Sequence, residues 1–366
     1  MNEGLARTLV HLRALVACDT RNPPRAIDAS HPIVGTIRTP LAACGFSVEV
    51  VDLGKGSVNV FATRGKADLL FNFHVDTVPD AANWTGSPFE LRISESEREG
   101  ARAIGLGACD IKGAAAAMIA AAEHAEGPAA LLFSTDEEAG NDECVHAFVA
   151  QRAEAFRGVV VAEPTSNKAT LAHRGTVSCE AKFSGVSGHG SNPSALHESA
   201  LHRFVRWGGR ALALAESLET EEVGGLSGVR FNLGIASGGT KANMIADHAS
   251  CRFGLRPRPG EEPDALVGAF SALDDTGATF ARGFRGSPLP PAGRTPATAL
   301  AERLALPLGP AVDFWTEAPL FAEAGLSSLV YGPGSIAQAH TRDEWVLLSQ
   351  LEEAYATYER ILRLQP

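Results

Sequence analysis

Short apolar runs separated by helical patterns constrain the fold of this chain most strongly. Five of these runs are Ser47–Val51, Leu69–Val75, Ala129–Ser134, Val159–Ala162 and Ser328–Tyr331. Between them, Ile111–Ala125 is rich in alanine, the residue with the highest helix propensity. Near the start, Leu5, Leu9 and Leu12 recur at helical spacing. Buried strands that alternate with helices are typical of parallel sheets covered on both faces, so we predict an α/β fold with a mostly parallel sheet.

Residues 171–284 show a different order of elements, which indicates a second domain. Its predicted elements are, in order, a strand at Val177–Phe183, a helix at Ala195–Leu218, strands at Val229–Ile235 and Ala249–Leu255, a helix after Pro263 and a strand at Thr279–Ala281. This order is that of the two-layer split βαβ, or ferredoxin-like, arrangement. We therefore predict an inserted α+β domain at 171–284 within a discontinuous first domain formed by residues 1–170 and 285–366.

Composition excludes several classes of protein. The chain has 366 residues, enough for two domains, and its formal charge of −11 argues against a nucleic-acid partner. No apolar stretch approaches the roughly 20 residues that span a bilayer. His11 and Arg13 interrupt the apolar positions near the N-terminus, which argues against a signal peptide. The six cysteines form no Cys-x-x-Cys pair, which favours free thiols and predicts a cytoplasmic protein.

Side chains that bind metals follow the predicted strands of the first domain. They are His74 with Asp76, Asp110, Asp136 with Glu137 and Glu138, Glu163, and His340. Ligands of open α/β sheets bind beyond the carboxyl ends of the strands, so we expect these side chains to converge. Imidazoles and carboxylates without thiolates suit Zn²⁺, Co²⁺ or Mn²⁺. Two histidines and about five acids exceed the needs of one catalytic zinc and are enough for a two-metal site.

Each of these residues also has an ordinary explanation. A lone His-x-Asp is usually a surface pair, and Glu137 with Glu138 suits a solvated first turn of a helix. Glu163 and His340 could be loop residues, and Cys109 a small buried one. Their placement at successive strand ends favours the metal site. Gly-x-Ser-x-Gly is absent, which argues against serine hydrolysis, and Gly105-Leu106-Gly107 lacks the third glycine and the lysine of nucleotide loops.

Six segments occur together in a specific order. They are His74–Pro79, Gly107–Gly113, Asp136–Glu138, Glu163–Thr165, Gly188–His189 and Ala339–His340. This set resembles the cocatalytic zinc family of aminoacylase, carboxypeptidase G, succinyl-diaminopimelate desuccinylase and acetylornithine deacetylase, over nearly the whole chain. The resemblance implies a zinc-exopeptidase-like catalytic domain, two divalent ions (Zn or Co), and a homodimer formed through the inserted domain.

The resemblance also implies a role for each matching residue. It assigns five metal ligands, which are His74 and Glu163 on one ion, Glu138 and His340 on the other, and Asp110 between the two. Asp76 would orient the ring of His74, as a metal-bound imidazole requires. Glu137 would be the general acid–base.

Residues outside the metal centre are implied to contact substrate. His189 would reach the site of the partner subunit and stabilise the oxyanion, while Asn243 and Arg256 would contact substrate, Arg256 through the α-carboxylate. The loop at Thr316-Glu317 differs from the Gly-rich loop of the desuccinylases, so the substrate contacts of that loop are not carried over.

Three further segments favour one substrate. Asp19–Ile27, Lys241–Ala246 and Val312–Ala318 are closest to the branch of the family that deacetylates N-acetyl-L-citrulline in arginine biosynthesis. N-acetyl-L-ornithine is the first alternative, followed by dipeptide hydrolysis or desuccinylation. A non-catalytic binding protein on the same fold is disfavoured because the predicted ligands and base are all present.

Overall fold

A computed structural model describes residues 2–24, 26–96 and 100–364. Arg25, inside the segment Asp19–Ile27, therefore lies outside the described residues. The strands are β1 (Ser47–Gly54), β2 (Ser57–Arg64), β3 (Leu69–His74), β4 (Arg92–Ser96), β5 (Gly100–Ile104), β6 (Ala129–Ser134), β7 (Gly158–Val161), β8 (Thr176–Ser184), β9 (Gly188–His189), β10 (Glu222–Val223), β11 (Leu226–Ser227), β12 (Arg230–Gly238), β13 (Met244–Ile245), β14 (His248–Arg256), β15 (Thr279–Gly286), β16 (Ser327–Val330) and β17 (Trp345–Leu347). The helices are α1 (Glu3–Val16), α2 (Pro32–Ala43), α3 (Lys112–His124), α4 (Glu143–Arg152), α5 (Ala195–Glu198), α6 (Ala200–Ser217), α7 (Pro263–Ser271), α8 (Thr298–Arg303), α9 (Ala318–Glu323) and α10 (Leu348–Leu364), with a 3₁₀ turn at Ala153–Ala155.

The chain forms two compact units. The first comprises Met1–Leu171, Pro296–Gly309 and Thr316–Pro366, and the second Ala172–Thr295 and Pro310–Trp315. The second unit includes residues 285–295 and 310–315, which were predicted to belong to the first domain. The indole Nε1 of Trp315 donates a hydrogen bond to the carbonyl oxygen of Ser287 at 3.0 Å, which connects residues 310–315 with residues 285–295.

The first unit is built on a six-stranded sheet in the order β1-β2-β6-β3-β7-β16. The pairs β6–β3, β3–β7 and β7–β16 are parallel, and the two pairs involving β2 are antiparallel. This is the mostly parallel α/β sheet that the apolar runs predict. Because β6, β3 and β7 are parallel neighbours, their carboxyl ends lie side by side.

Helices pack on both faces of this sheet. On one face, Phe71 and Phe73 contact Tyr358 of α10, and α10 packs against α1 and α3. On the other face, Phe61 contacts Phe148 of α4 at 5.0 Å between ring centroids. The first eleven residues of α3 are buried, which the many alanines permit because they need little space. Gly113 is required there, since a Cβ would lie 2.3 Å from the carbonyl oxygen of Ala108.

The second unit contains an antiparallel sheet in the order β12-β14-β8-β15. Helices α6 and α7 pack on it, with Trp207 and Phe270 fully buried in a separate core. The observed order of β8, α6, β12, β14, α7 and β15 is the one that the sequence predicts. The predicted helix at 195–218 is interrupted at Ser199, whose backbone is extended (φ −70°, ψ 123°). The interruption lets the Ala200 amide donate to the Ala246 carbonyl at 2.9 Å.

Other elements were not predicted. Strands β17, β5 and β4 form a small antiparallel sheet in the first unit that pairs Trp345 with Ile104. Helix α10 covers 17 residues after β17. None of the described helices combines the length and apolar composition needed to cross a lipid bilayer. All six cysteines are free thiols.

Candidate active site

His74 is the last residue of β3, the strand between β6 and β7. Its side chain is only 2% exposed. The ring Nε2 lies 3.0 Å from Asp110 Oδ1 and 3.7 Å from Glu163 Oε1. The ring Nδ1 lies 3.2 Å from the backbone carbonyl of Asp76 and 3.6 Å from its carboxylate. With Nδ1 held by Asp76, Nε2 is the ring atom that could bind a cation shared with the two other carboxylates.

Asp110 lies between the two predicted histidine ligands. It precedes α3, and its other oxygen, Oδ2, is 3.4 Å from Nε2 of His340. The same Nε2 is 2.9 Å from Oε1 of Glu138. The structure thus brings together all five residues predicted to be metal ligands, in the pairing that the resemblance implies. Their role as ligands stays a prediction.

The electrostatics of the cluster are dominated by buried carboxylates. Burial opposes ionisation of Asp110, but hydrogen bonds with His340 and His74 lower its pKa below the usual value. Hydrogen bonds to Asp110 and Glu138 raise the pKa of His340 to about 11. Burial, and then the charge of Asp110, raise the pKa of Glu163 well above its usual value. Burial thus favours protonation of Glu163 in the metal-free cluster, and a bound cation would replace protons there.

The donor set fits divalent transition metals. One ligand atom from each of His74, Asp110 and Glu138 lies within 4.8 Å of the others, close enough to share an ion. Two imidazoles and three carboxylates are ligands that zinc and cobalt accept in proteins. The thiol of Cys109 is directed elsewhere, at the carbonyl of Ser335 (3.4 Å).

Asp76 and Glu137 flank this donor set. Asp76 is fully buried, and its Oδ2 accepts a hydrogen bond from the amide of Glu138 at 3.1 Å. It therefore contacts residues of both predicted ion sites. Glu137 is half-buried. Burial raises the pKa of Glu137 well above its usual value, and nearby carboxylates, Glu138 first, raise it further. A carboxylate with a raised pKa is suited to proton transfer near neutral pH.

The predicted substrate residues lie in the second unit. His189 ends β9, which pairs with β13, so Met244 is opposite His189. Its ring Nδ1 is 2.8 Å from Ser191 Oγ, and the side chain is exposed. The carbonyl of Asn243 accepts a hydrogen bond from Gly190 at 2.8 Å, which places Asn243 beside His189. Arg256 is the last residue of β14 and is exposed.

Glu317 is a buried acid near the cluster to which the sequence analysis gave no role. It is 1% exposed, and its Oε2 accepts hydrogen bonds from Asn72 Nδ2 (2.5 Å) and Ser134 Oγ (3.1 Å). Its Oε1 has no hydrogen-bond partner in the described residues. Burial, followed by the charge of Asp136, raises its pKa to about 7. Asn72 at the middle of an apolar run was the available signal, because a buried amide needs a polar partner.

Replacing this acid by glutamine is expected to change the pH dependence of stability. The raised pKa means that protonated Glu317 stabilises the folded chain at low pH, and this contribution is lost as the pH rises through about 7. Metal-free Glu317→Gln should therefore exceed the wild type in free energy of unfolding by up to about 3 kcal/mol at pH 8, and by less at pH 5. Urea unfolding at both pH values measures this, with the exposed Glu302→Gln as control. An advantage that does not vary with pH would contradict it.

The chain is similar to several known proteins. The model of peptidase family M20/M25/M40 matches residues 70–364. An N-acetyl-L-citrulline deacetylase from Xanthomonas campestris pv. campestris is 49% identical over 99% of both chains. An acetylornithine deacetylase from Proteus mirabilis is 30% identical, with 95% of this chain and 92% of that protein covered. A metallo-carboxypeptidase of the M20 family from Sulfolobus solfataricus shares the fold with a TM-score of 0.75 and 15% sequence identity. The match covers 100% of this chain and 99% of that structure.

Proposed function

Because the chain belongs to peptidase family M20/M25/M40, we propose that it is a metal-dependent amide hydrolase that converts N-acetyl-L-citrulline to L-citrulline and acetate. The observation that carries the proposal is the placement of one buried aspartate, Asp110, between His74 and His340 at the carboxyl edge of the sheet. This reaction would supply citrulline for arginine synthesis.

The choice of substrate rests on the relatives. The N-acetyl-L-citrulline deacetylase from Xanthomonas campestris is 49% identical over 99% of this chain, whereas the acetylornithine deacetylase from Proteus mirabilis is 30% identical. Citrulline carries a neutral ureido group and ornithine a cation, so the two tails require different contacts. N-acetyl-L-ornithine is accordingly the second candidate substrate.

Two divalent cations, zinc or cobalt, are the cofactors that we infer. His74 and Glu163 would hold one ion, Glu138 and His340 the other, and Asp110 both. Support comes from the four short contacts among these residues and from the burial of carboxyl groups beside the two imidazoles. When bound, such ions polarise a carbonyl group and lower the pKa of water.

Glu137 is the proton carrier in this proposal. Its carboxylate takes a proton from the attacking water as the water oxygen bonds to the acetyl carbon. It then returns that proton to the amide nitrogen as the carbon–nitrogen bond breaks, giving the amine and acetate. A carboxylate with a raised pKa can perform both transfers, and support for this role is the burial of Glu137 beside Glu138.

Residues of the second unit would orient the substrate. Partial burial lowers the pKa of the Arg256 guanidinium, which makes no hydrogen bond or ion pair with the described part of the chain and is therefore free to pair with the α-carboxylate. Asn243 would contact the same substrate, and His189 would donate a hydrogen bond to the developing oxyanion in the partner subunit.

We propose a homodimer that forms through the second unit and lets His189 reach the site of the partner subunit. The unit carries large exposed apolar side chains on α6 and on the edge strand β12, namely Val205 (63% exposed), Leu212 (48%) and Ile235 (58%). Exposed apolar residues on a helix and on a strand at the edge of a sheet are features that an interface would cover.

The test of the proposed substrate is a direct comparison of two acetylated amino acids. Acetate release from N-acetyl-L-citrulline and N-acetyl-L-ornithine is measured with the metal-loaded protein, and kcat/KM is compared. We expect N-acetyl-L-citrulline to be the better substrate. A higher kcat/KM for N-acetyl-L-ornithine would transfer the assignment to the second candidate.

A further inference from the structure

A second buried acid, Glu344, is bound to the loop that carries Asp110. Its Oε1 accepts hydrogen bonds from the amides of Cys109 (2.8 Å) and Asp110 (2.9 Å), and its Oε2 accepts one from Gly107 (2.9 Å). The residue is 1% exposed. No lysine, arginine or histidine of the described residues forms an ion pair with it. The three backbone amides are its hydrogen-bond partners, and the buried Lys112 interacts with its charge without contacting it.

The loop is shaped to give these three amides to one carboxylate. Gly107 has φ of +78°, a left-handed conformation that side chains other than hydrogen disfavour. A Cβ at this position would also lie 2.8 Å from Cγ2 of Thr77. The amides of Gly107, Cys109 and Asp110 form an anion-binding concavity, which the Glu344 carboxylate of the same chain occupies.

Glu344 also connects the Asp110 loop with the segment that carries His340. It is four residues after His340 and immediately before β17, which pairs with β5 through Trp345 and Ile104. The Glu344 carbonyl accepts a further hydrogen bond from the amide of Gly105 at 3.0 Å. One residue therefore joins two segments that are more than 200 positions apart in sequence and that each supply a predicted ligand.

We infer that Glu344 is a positioning residue that fixes the separation of the Asp110 and His340 side chains. Through this separation it sets the affinity for the more weakly bound of the two metal ions. The inference rests on the proposed function, because it takes Asp110 and His340 as ligands. Glu344 does not touch the reacting atoms. Its action passes through the backbone amide of Asp110, and partners of this kind typically change metal affinity by about 10–100-fold.

Glutamine is the informative substitution because it keeps the size of the side chain. Its carbonyl oxygen can still accept from Cys109 and Asp110, but its amide nitrogen would face the amide of Gly107, donor against donor. Glu344→Asp keeps both carboxylate oxygens, but its side chain is one methylene shorter, which moves the oxygens away from the three amides. The matched control is Asp343→Asn, because Asp343 is the neighbouring acid and binds Thr85 and Arg92, away from the loop.

The experiment is a titration of metal-free, full-length protein with Co²⁺. Calorimetry measures the binding affinities, and visible absorption reports on the bound cobalt. We expect wild type and Asp343→Asn to bind two ions with the same spectrum. Glu344→Gln should bind the weaker ion about 10–100-fold less tightly, with an altered absorption band, while circular dichroism reports a folded chain. Wild-type affinities and spectrum in Glu344→Gln would overturn the inference.

Asp110→Asn separates this inference from the proposed function. If Asp110→Asn leaves both ions bound as in the wild type, the ligand assignment itself is wrong. If Asp110→Asn loses an ion but Glu344→Gln does not, only the role of Glu344 is wrong. Should Glu344→Gln not fold, Glu344→Asp takes its place with the same expected loss. Failure of both variants to fold would assign Glu344 to fold stability and overturn its positioning role.

Discussion

Glu137→Gln is expected to lower kcat for acetate release by about 10²–10⁴-fold while two metal ions remain bound. Glutamine keeps the shape of the side chain but cannot take a proton from water or return one to the leaving nitrogen. Since Glu137 is not among the predicted ligands, metal content should not change. Steady-state kinetics together with metal analysis of the same preparation measures both quantities.

Glu143→Gln provides a matched control for Glu137. Glu143 is an exposed glutamate at the start of α4, six residues further along the chain. We expect it to retain wild-type kcat. Retention of most of the activity in Glu137→Gln would remove Glu137 from the acid–base role, whereas loss of metal would identify it as a ligand instead.

His189→Ala is expected to lower kcat by about 10²–10³-fold, the effect of losing a single donor to an oxyanion. The residue belongs to the second unit, not to the one that holds the metal cluster, so metal content should be unchanged. His197→Ala, another exposed histidine of the second unit, serves as the control and should behave as the wild type. Equal kcat values for the wild type and His189→Ala would exclude an oxyanion role.

Mixing two inactive variants tests whether the site is shared between subunits. A heterodimer of His189→Ala and Glu137→Gln contains one site with an intact Glu137 that faces the intact His189 of the other chain. We therefore expect activity to reappear on mixing, after subunit exchange. Absence of activity in a mixture where heterodimers are demonstrated would place His189 and Glu137 of the same chain in one site.

The candidate site can be predicted from the sequence where candidate ligands follow strands of the main sheet. His74 ends β3, and Glu163 comes two residues after β7, its parallel neighbour. Because the strands are short and apolar, their ends can be located from the sequence, and parallel strands place those ends on one edge. The split βαβ order of the second unit is visible for a related reason, since its strands alternate and its helices are amphipathic.

The supporting acids could not be found in this way. The pairing of β17 with β5 brings Glu344 to the Asp110 loop, and no local periodicity indicates contacts between residues more than 200 positions apart. Glu317 precedes a helix of only six residues, and it accepts a hydrogen bond from Asn72, which is 245 positions earlier in the sequence. A buried acid with amide and hydroxyl partners has no motif of its own. Its position becomes visible only when the strands and loops around it are assembled.

Metal dependence of the proposed reaction tests the central claim most directly. The protein is freed of metal with a chelator, and acetate release from N-acetyl-L-citrulline is followed as Zn²⁺ or Co²⁺ is added back. We predict no turnover without metal and recovery that is complete at two ions per chain. Turnover that survives complete metal removal, or metal-loaded protein that releases no acetate, would contradict the account.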